Sequence, residues 1–254
     1  MEELIREAAR RLAGVHTLAV LTGSGVSRES GIATFRDPEE GLWARYDPMD
    51  LATQEGYLRN PTLVWQWYEH RFGMVEKAAP NAGHLAIARL ETLLPQVTVI
   101  TQNIDGLHQA AGSTDVIELH GSIRRYRCLD GRHTGFTRAD FAGQSEMPPK
   151  CPRCGALLRP EVVWFGEILP RAALERAFDL AESCDAMLVA GTSGEVQPAA
   201  SLPFCSARRG ALVIDVNPDQ DNIASVADIY LRGPGGSVLP RLIQAIQDLR
   251  GPNG

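Results

Sequence analysis

Five short runs in this chain are almost entirely apolar or β-branched: Thr17-Leu-Ala-Val-Leu21, Val97-Thr-Val-Ile100, Val116-Ile-Glu-Leu119, Ala186-Met-Leu-Val-Ala190 and Leu212-Val-Ile-Asp-Val216. Runs of this length, nearly all apolar, predict parallel strands covered on both faces. Helical patterns lie between them, and the chain opens with a charged amphipathic helix from Met1 to Arg10. The pattern predicts a doubly wound α/β domain. The runs give way to small and polar residues: Gly23-Ser-Gly25, Gln102-Asn103, His120-Gly121, Gly191-Thr-Ser193 and Asn217-Pro218. Ligands of open parallel sheets bind at that edge, so these loops are expected to form a cleft.

Two stretches break the alternation. Residues 37–79 are rich in Trp, Tyr and helix formers, and residues 122–159 carry Cys, Pro and Gly with little periodicity. Both read as insertions that together make a smaller lobe. The α/β domain is then assembled from residues 1–36, 80–121 and 160–254.

With 254 residues and 44% hydrophobic content, the chain is long enough for a large domain with a well-buried core. A net charge of -6 argues against nucleic acid as an obligatory partner, which would need a basic face. No apolar run approaches membrane-spanning length and the N-terminus lacks the apolar stretch of a signal peptide. Five cysteines, an odd number that includes Cys151-Pro-Arg-Cys154, read as metal ligands or free thiols in a reducing compartment. A cytoplasmic protein with no membrane association is expected.

The chemistry concentrates in Thr101-Gln-Asn-Ile-Asp-Gly-Leu-His108 and Leu119-His120-Gly121. An imidazole and a carboxylate at a strand edge suit proton transfer on a bound small molecule, and the Asn103 amide suits orienting it. Gly23 and Gly25 allow a tight turn and a close approach of backbone N–H groups to phosphate. The third glycine comes late, at Gly31, where the hydride-transfer fingerprint wants it at position 28, which is Arg28 here.

Taken together, these segments resemble a known family. Gly-x-Gly-x-Ser-x-x-Ser-Gly-Ile-x-x-Phe-Arg36, Pro80-Asn-x-x-His84, Thr101 to His108, Leu119-His120-Gly121, Cys151-Pro-x-Cys-Gly155, Arg159-Pro-x-Val-Val-Trp-Phe-Gly-Glu167 and Gly191-Thr-Ser-x-x-Val-x-Pro-Ala199 match, in order, the motifs of the sirtuins, NAD-dependent protein-lysine deacylases. The resemblance implies a Rossmann-like sheet with a helical insertion and a zinc-ribbon-like insertion. It also implies an enzyme that breaks the nicotinamide–ribose bond and moves the acyl group of a modified lysine to ADP-ribose. By resemblance, His120 is the general base and Asn103 its catalytic partner. The NAD contacts fall on Gly23, Ser24, Gly25, Ser27, Thr34, Phe35, Arg36, Trp43, Gln102, Asn103, Ile104, Asp105, Gly191, Thr192, Ser193, Asn217 and Gly235. His108, the competing imidazole, is structural in the family. Val162, Val163, Trp164, Phe165 and Gly166 on one side, with Glu195 and Val196 on the other, correspond to the edges between which an acylated peptide adds a strand.

The departures bear on metal and substrate. The family uses two Cys-x-x-Cys pairs, but here the first reads Cys128-Leu-Asp-Gly131, leaving Cys128, Cys151 and Cys154. A structural zinc normally takes four ligands. Either His133 or Asp130 completes the set, or water does, or the site is empty, and a cysteine restored at position 131 is expected to raise occupancy. Ser24 and Ala33 replace a usual Ala and Pro without removing a chemical group. The helix read from Pro61 places Tyr68 and Arg71 three residues apart on one face, a phenol beside a planar guanidinium suited to a carboxylate. Tyr68, Arg71, Thr34 and Leu51-Ala-Thr53 resemble the class III sirtuins, which prefer succinyl, malonyl or glutaryl groups, so desuccinylase-type activity with weaker deacetylation is expected. Competing classes are an NAD glycohydrolase or ADP-ribosyl transferase, which would not need the peptide edges, and a non-catalytic NAD-sensing module.

Overall fold

The protein is described from a computed structural model covering residues 1–33, 46–47 and 51–250. Its main sheet is parallel, six-stranded and ordered β3-β2-β1-β6-β7-β8: β1 Thr17–Thr22, β2 Gln96–Thr101, β3 Val116–Glu118, β6 Ala186–Ala190, β7 Leu212–Asn217 and β8 Ile229–Arg232. Strand order runs outward in both directions from the β1/β6 pair, which is therefore the switch point where a crevice opens. The apolar runs are strands because both of their faces are covered. Leu18 and Val20 pack with the first and last helices, whereas Ala19 and Leu21 pack with helices Arg171–Ser183 and Leu202–Arg208 on the other side. Strand β8 does not show in the apolar pattern because it has no all-apolar run: buried Ile229 and Leu231 alternate with half-buried Tyr230 and exposed Arg232.

The helix Glu2–Ala13 forms as the pattern requires. Ile5, Ala8, Ala9 and Leu12 bury one stripe, and Glu2, Glu3 at its start with Arg10, Arg11 at its end oppose the helix dipole.

The smaller lobe consists of helices Gln54–Arg59 and Pro61–Lys77 over an antiparallel pair, β4 Gly121–Cys128 and β5 Leu158–Val162. The longer helix starts where Pro61 follows Asn60, whose side chain accepts the Leu63 N–H. Tyr57, Trp67, Tyr68, Phe72 and Trp164 share one apolar cluster, and Trp65, Tyr126, Phe136, Cys128 and Cys151 share another. β4 and β5 were invisible to periodicity because this small sheet carries arginines along both strands. The peptide edge read at Val162–Gly166 is not a continuous strand: β5 ends at Val162, and Phe165 makes an isolated parallel bridge to Thr53, its N–H donating to the Ala52 carbonyl at 2.9 Å. Glu167 bends the chain there by accepting the Trp164 N–H at 2.9 Å. No helix among the described residues is long and apolar enough to cross a membrane.

Candidate active site

The loops after β1, β2, β6 and β7 meet at the switch point. Gly23 and Gly25 are glycine for a reason independent of any ligand. A Cβ on either would come within 2.8 Å of the Gly191 carbonyl oxygen, and one on Gly191 would lie 2.3 Å from the Val26 nitrogen. Three glycines thus let the β1 and β6 loops touch backbone to backbone, with Gly25 N–H donating to the Gly191 carbonyl at 2.9 Å. The segment Ser24–Ser30 then coils as a 3-10 turn and ends at Gly31, whose φ of 81° is left-handed.

Ser27, buried on that turn, is the centre of a polar network. Asn81 caps the helix Ala82–Leu90 by accepting the Gly83 and His84 N–H groups, and its own N–H donates to His84 Nδ1 at 3.3 Å. His84 Nε2 therefore carries the ring proton and faces Ser27 Oγ at 3.4 Å. Asn103 Nδ2 also donates to Ser27 Oγ at 3.0 Å, and Ser27 Oγ donates to Asp105 Oδ2 at 2.8 Å. The other Asp105 oxygen accepts the Leu107 N–H at 2.9 Å. Asn103 and Asp105 are buried at 8% and 4% exposure, so their orientation is set before any ligand arrives. Ile104 is half-buried between them and packs toward the small-lobe core.

Along the β6 and β7 ends, Gln102 donates to Thr192 Oγ1 at 2.9 Å, and Asn217 Nδ2 donates to the Thr192 carbonyl and to Asp221, each at 2.8 Å. Ser193 is half-buried beside them. Gly235 opens the last helix, Gly235–Arg250, where a Cβ would make only ordinary 3.7 Å contacts with Leu239 and Val26. Ser24 is exposed at the start of its turn. Thr34, Phe35, Arg36 and Trp43 lie outside the described residues.

The two imidazoles read from the motifs have opposite surroundings. His108 is 1% exposed, with Nε2 2.8 Å from Thr22 Oγ1, and burial pushes its pKa down to about 3. It is a neutral core group. His120 is half-buried at the end of β3, and its Nδ1 lies 2.9 Å from the Gln102 carbonyl oxygen. A carbonyl only accepts, so Nδ1 carries the proton and Nε2 keeps the lone pair. Burial lowers the His120 pKa from 6.5, partly offset by the Gln102 hydrogen bond, so the neutral, basic form prevails at neutral pH. Gly121 permits the exit from this position. Its φ is 74°, and a Cβ there would lie 2.1 Å from the Glu161 carbonyl oxygen.

The smaller lobe supplies the opposite side. Val162 and Trp164 are buried, Val163 is half-buried, and Phe165 and Gly166 are exposed. Glu195 and Val196, in the segment after β6, are exposed as well. Val163 N–H donates to the His120 carbonyl at 2.9 Å, tying this edge to the imidazole. Trp164 Nε1 donates to Tyr68 OH at 2.9 Å, and burial pushes the Tyr68 phenol up to about 12. Tyr68 therefore keeps its own proton. The half-buried Arg71 guanidinium stands 5.2 Å from the centroid of the Trp67 ring, near enough to Tyr68 to favour its ionised form slightly.

Beneath them, Arg159, 1% exposed, grips Glu167 with both terminal nitrogens, donates to the Val162 carbonyl at 2.6 Å and stacks on Trp164. Sequence reasoning quoted Arg159 and Glu167 but gave them no role. Two charges flanking an apolar run was the available signal.

At the far end of the smaller lobe, Cys128, His133, Cys151 and Cys154 place one ligand atom each within 4.8 Å of all the others. This donor set fits a structural zinc. The three thiols counted in the sequence are thus gathered together with His133, one of the two side chains read as candidates for the fourth donor.

A match to the Sir2 family covers residues 23–198. An NAD-dependent protein deacylase of Pyrococcus abyssi is 47% identical over 249 residues, spanning 97% of this chain and 99% of its own. The solved structure of a Sir2 homologue in complex with NAD is 45% identical, with a TM-score of 0.89 over 96% of this chain and 94% of its own. A third, Sir2Af2 bound to a myristoylated histone peptide, is 37% identical, with a TM-score of 0.79 over 98% of this chain and 99% of its own.

Proposed function

The chain belongs to the Sir2 family, and from that premise we propose that it deacylates protein lysines with NAD as co-substrate, preferring acyl groups that end in a carboxylate, such as succinyl, malonyl or glutaryl, over acetyl. The observation that carries the deacylase reading is His120. It is a half-buried imidazole whose Nδ1 donates to the carbonyl of Gln102, the residue before Asn103 of the preset Asn103–Ser27–Asp105 network, and whose Nε2 is left basic.

NAD, when bound, supplies the ribose carbon that the acyl oxygen captures as nicotinamide leaves. The glycine-lined loop of Gly23, Ser24 and Gly25 takes its phosphates, with Gly191, Thr192, Ser193, Asn217 and Gly235 on the adenosine side. Asn103 and Asp105, held rigidly by Ser27, orient the nicotinamide end, and Gln102 lies beside the ribose. His120 Nε2 takes a proton from a ribose hydroxyl. One water is consumed, and the products are nicotinamide, free lysine and 2′-O-acyl-ADP-ribose. The protein substrate is held as an added strand between Val162–Gly166 and Glu195–Val196. Pairing through backbone groups tolerates many sequences.

Support for the acidic-acyl preference comes from Tyr68 and Arg71. The Tyr68 hydroxyl accepts from Trp164 and retains a proton to donate, and Arg71 is half-buried against Trp67. A phenol and a guanidinium together give a carboxylate two charge-assisted or neutral donors in apolar surroundings. The test is nicotinamide release measured with NAD and one peptide carrying acetyl, succinyl or glutaryl lysine. Peptide-dependent release, fastest with the acidic groups, is expected. Release without peptide would mean a glycohydrolase, and equal or better deacetylation would remove the acyl preference while leaving the deacylase.

A further inference from the structure

We infer that the metal centre of the smaller lobe is a three-thiolate, one-imidazole site in which His133, through Nδ1, is the fourth ligand and Asp130 is not. His133 Nδ1 lies 3.7 Å from Cys128 Sγ and 3.7 Å from Cys151 Sγ. Bonds of about 2.3 Å to sulfur and about 2.0–2.1 Å to nitrogen, at the tetrahedral angle, put two ligand atoms about 3.6 Å apart. The imidazole nitrogen therefore already occupies a vertex of the tetrahedron begun by the sulfurs. Asp130 Oδ1 lies only 3.0 Å from Cys128 Sγ, a hydrogen-bond separation too short for two ligands of one zinc. Its carboxylate is also taken by Arg132, through Nε at 2.6 Å and the backbone N–H at 3.1 Å.

The loop geometry explains why residue 133, and not residue 131, reaches the site. Cys128 N–H donates to the His133 carbonyl at 2.9 Å, and His133 N–H donates to Cys128 Sγ at 3.0 Å, so the two residues face each other across a tight turn. Gly131 takes the left-handed conformation inside that turn, with φ 73°, and a side chain there would head for the Arg127 guanidinium, 3.4 Å away. A cysteine at 131 would be strained and would meet Arg127. On this proposal Gly131→Cys does not raise occupancy. Around the site, the His133 N–H aimed at Cys128 Sγ acts as an outer partner of the ligands, whereas the Asp130 carboxylate is held by Arg132.

The experiment uses the whole protein purified with zinc and, in parallel, with cobalt. X-ray absorption at the zinc edge of the unaltered protein is expected to give three sulfurs at about 2.3 Å and one nitrogen at about 2.0–2.1 Å, with the outer scattering of an imidazole. His133→Ala should weaken zinc retention against a chelator by about 100-fold or more, at least the upper end of what losing an outer partner costs. His133→Cys should retain the metal, with sulfur-to-cobalt charge-transfer absorption raised by about a third as three thiolates become four. Asp130→Ala should hold a full equivalent, and Gly131→Cys should not rescue His133→Ala. The assignment is overturned by a metal-free unaltered protein, by absorption lacking the imidazole pattern, by undiminished retention in His133→Ala, or by metal loss in Asp130→Ala. The absorption measurement decides the matter even if His133→Ala does not fold.

Discussion

The floor of the cleft and its small-lobe side are both polar arrays beside apolar cores, but they are assembled differently. On the floor, Gly23, Gln102, Asn103, Gly191 and Asn217 each fall within two residues of the end of a parallel strand, so the sheet topology alone gathers them. On the other side, Tyr68 meets Trp164 across 96 positions of chain, and Arg159 turns back eight residues to Glu167 beneath them. The floor is secured by backbone contact between glycine loops and by short hydrogen bonds around Ser27. The small-lobe side depends on a buried ion pair stacked on an indole. The difference teaches that the part expected to handle NAD is set by the scaffold, whereas the part expected to choose the acyl group rests on long-range partners that a few substitutions could retune.

The strongest way to break that contrast is at the ion pair. Arg159→Met removes the guanidinium donors of the Val162 carbonyl and of Glu167, which keeps only the Trp164 N–H, and losing one partner of a buried pair typically costs about 3–5 kcal/mol. Urea unfolding should register a loss of that size. A change below about 1 kcal/mol would mean that the aromatic cluster, not the charge pair, holds this side.

On the floor, the test separates the two imidazoles. His120→Ala is expected to lower peptide-dependent turnover by about 100-fold or more, the usual worth of general-base help, while calorimetry shows NAD binding largely retained. His108→Ala should instead lower stability, because its ring is wholly buried against Thr22 and His84. The pKa of His120 is depressed below 6.5, so kcat/KM should rise with pH with its midpoint below that value. Near-normal turnover in His120→Ala would remove it as the base.

A third measurement sharpens what the small-lobe side selects. Arg71→Met should reduce desuccinylation by about 1.5–3 kcal/mol in kcat/KM, the range for hydrogen bonds to charged groups, while sparing or improving deacetylation on the same peptide. An acetyl group offers the guanidinium no carboxylate, so Met loses nothing with that substrate. Equal loss of both activities would reduce Arg71 to a structural support.

The smallest effect is expected in the pH dependence of stability, because two buried groups oppose each other. The His108 pKa falls from 6.5 to about 3 on folding, so the stability linked to it is full above 6.5 and lost as pH falls toward 3. Asp215 is fully buried, and neither of its oxygens has a partner among the described residues. Burial first, then the nearby Asp221, raises its pKa from 3.8 to about 7, so its linked stability is full below 3.8 and lost as pH rises through 7. Between 3.8 and 6.5 the two slopes, each at most about 1.4 kcal/mol per pH unit, run in opposite directions and cancel. Thermal melts should show Asp215→Asn gaining stability with pH across that window and His108→Gln losing it. Parallel curves for both variants and the unaltered protein would disprove the opposition.

Much of the fold was legible because strands covered on both faces are largely apolar or β-branched, and β1, β2, β6 and β7 follow that rule with buried Asp215 as the charged exception, while the edge strand β3 still shows as Val-Ile before Glu118. The arginine-bearing β4 and β5 do not, and periodicity passed over them. The chemistry of the floor was legible for the same reason, since a residue that follows a buried parallel strand lies at the ligand edge whatever its partners. His84 was quoted in its motif without a role, because nothing local says that its ring closes the network on Ser27.

By itself, then, the sequence determined the doubly wound sheet, the glycine turn, the strand-end positions of Asn103, Asp105 and His120, and the three thiols. These follow from short-range rules of burial, backbone conformation and spacing. Only the tertiary structure decided which imidazole is buried and which is basic, that Gly23 and Gly25 are dictated by the neighbouring Gly191, that Arg159 pairs with Glu167 beneath Trp164, and that His133 stands among the sulfurs. Each of those depends on which group lies within about 3–4 Å of another, where hydrogen bonds and close packing act, and separation along the chain carries no such information.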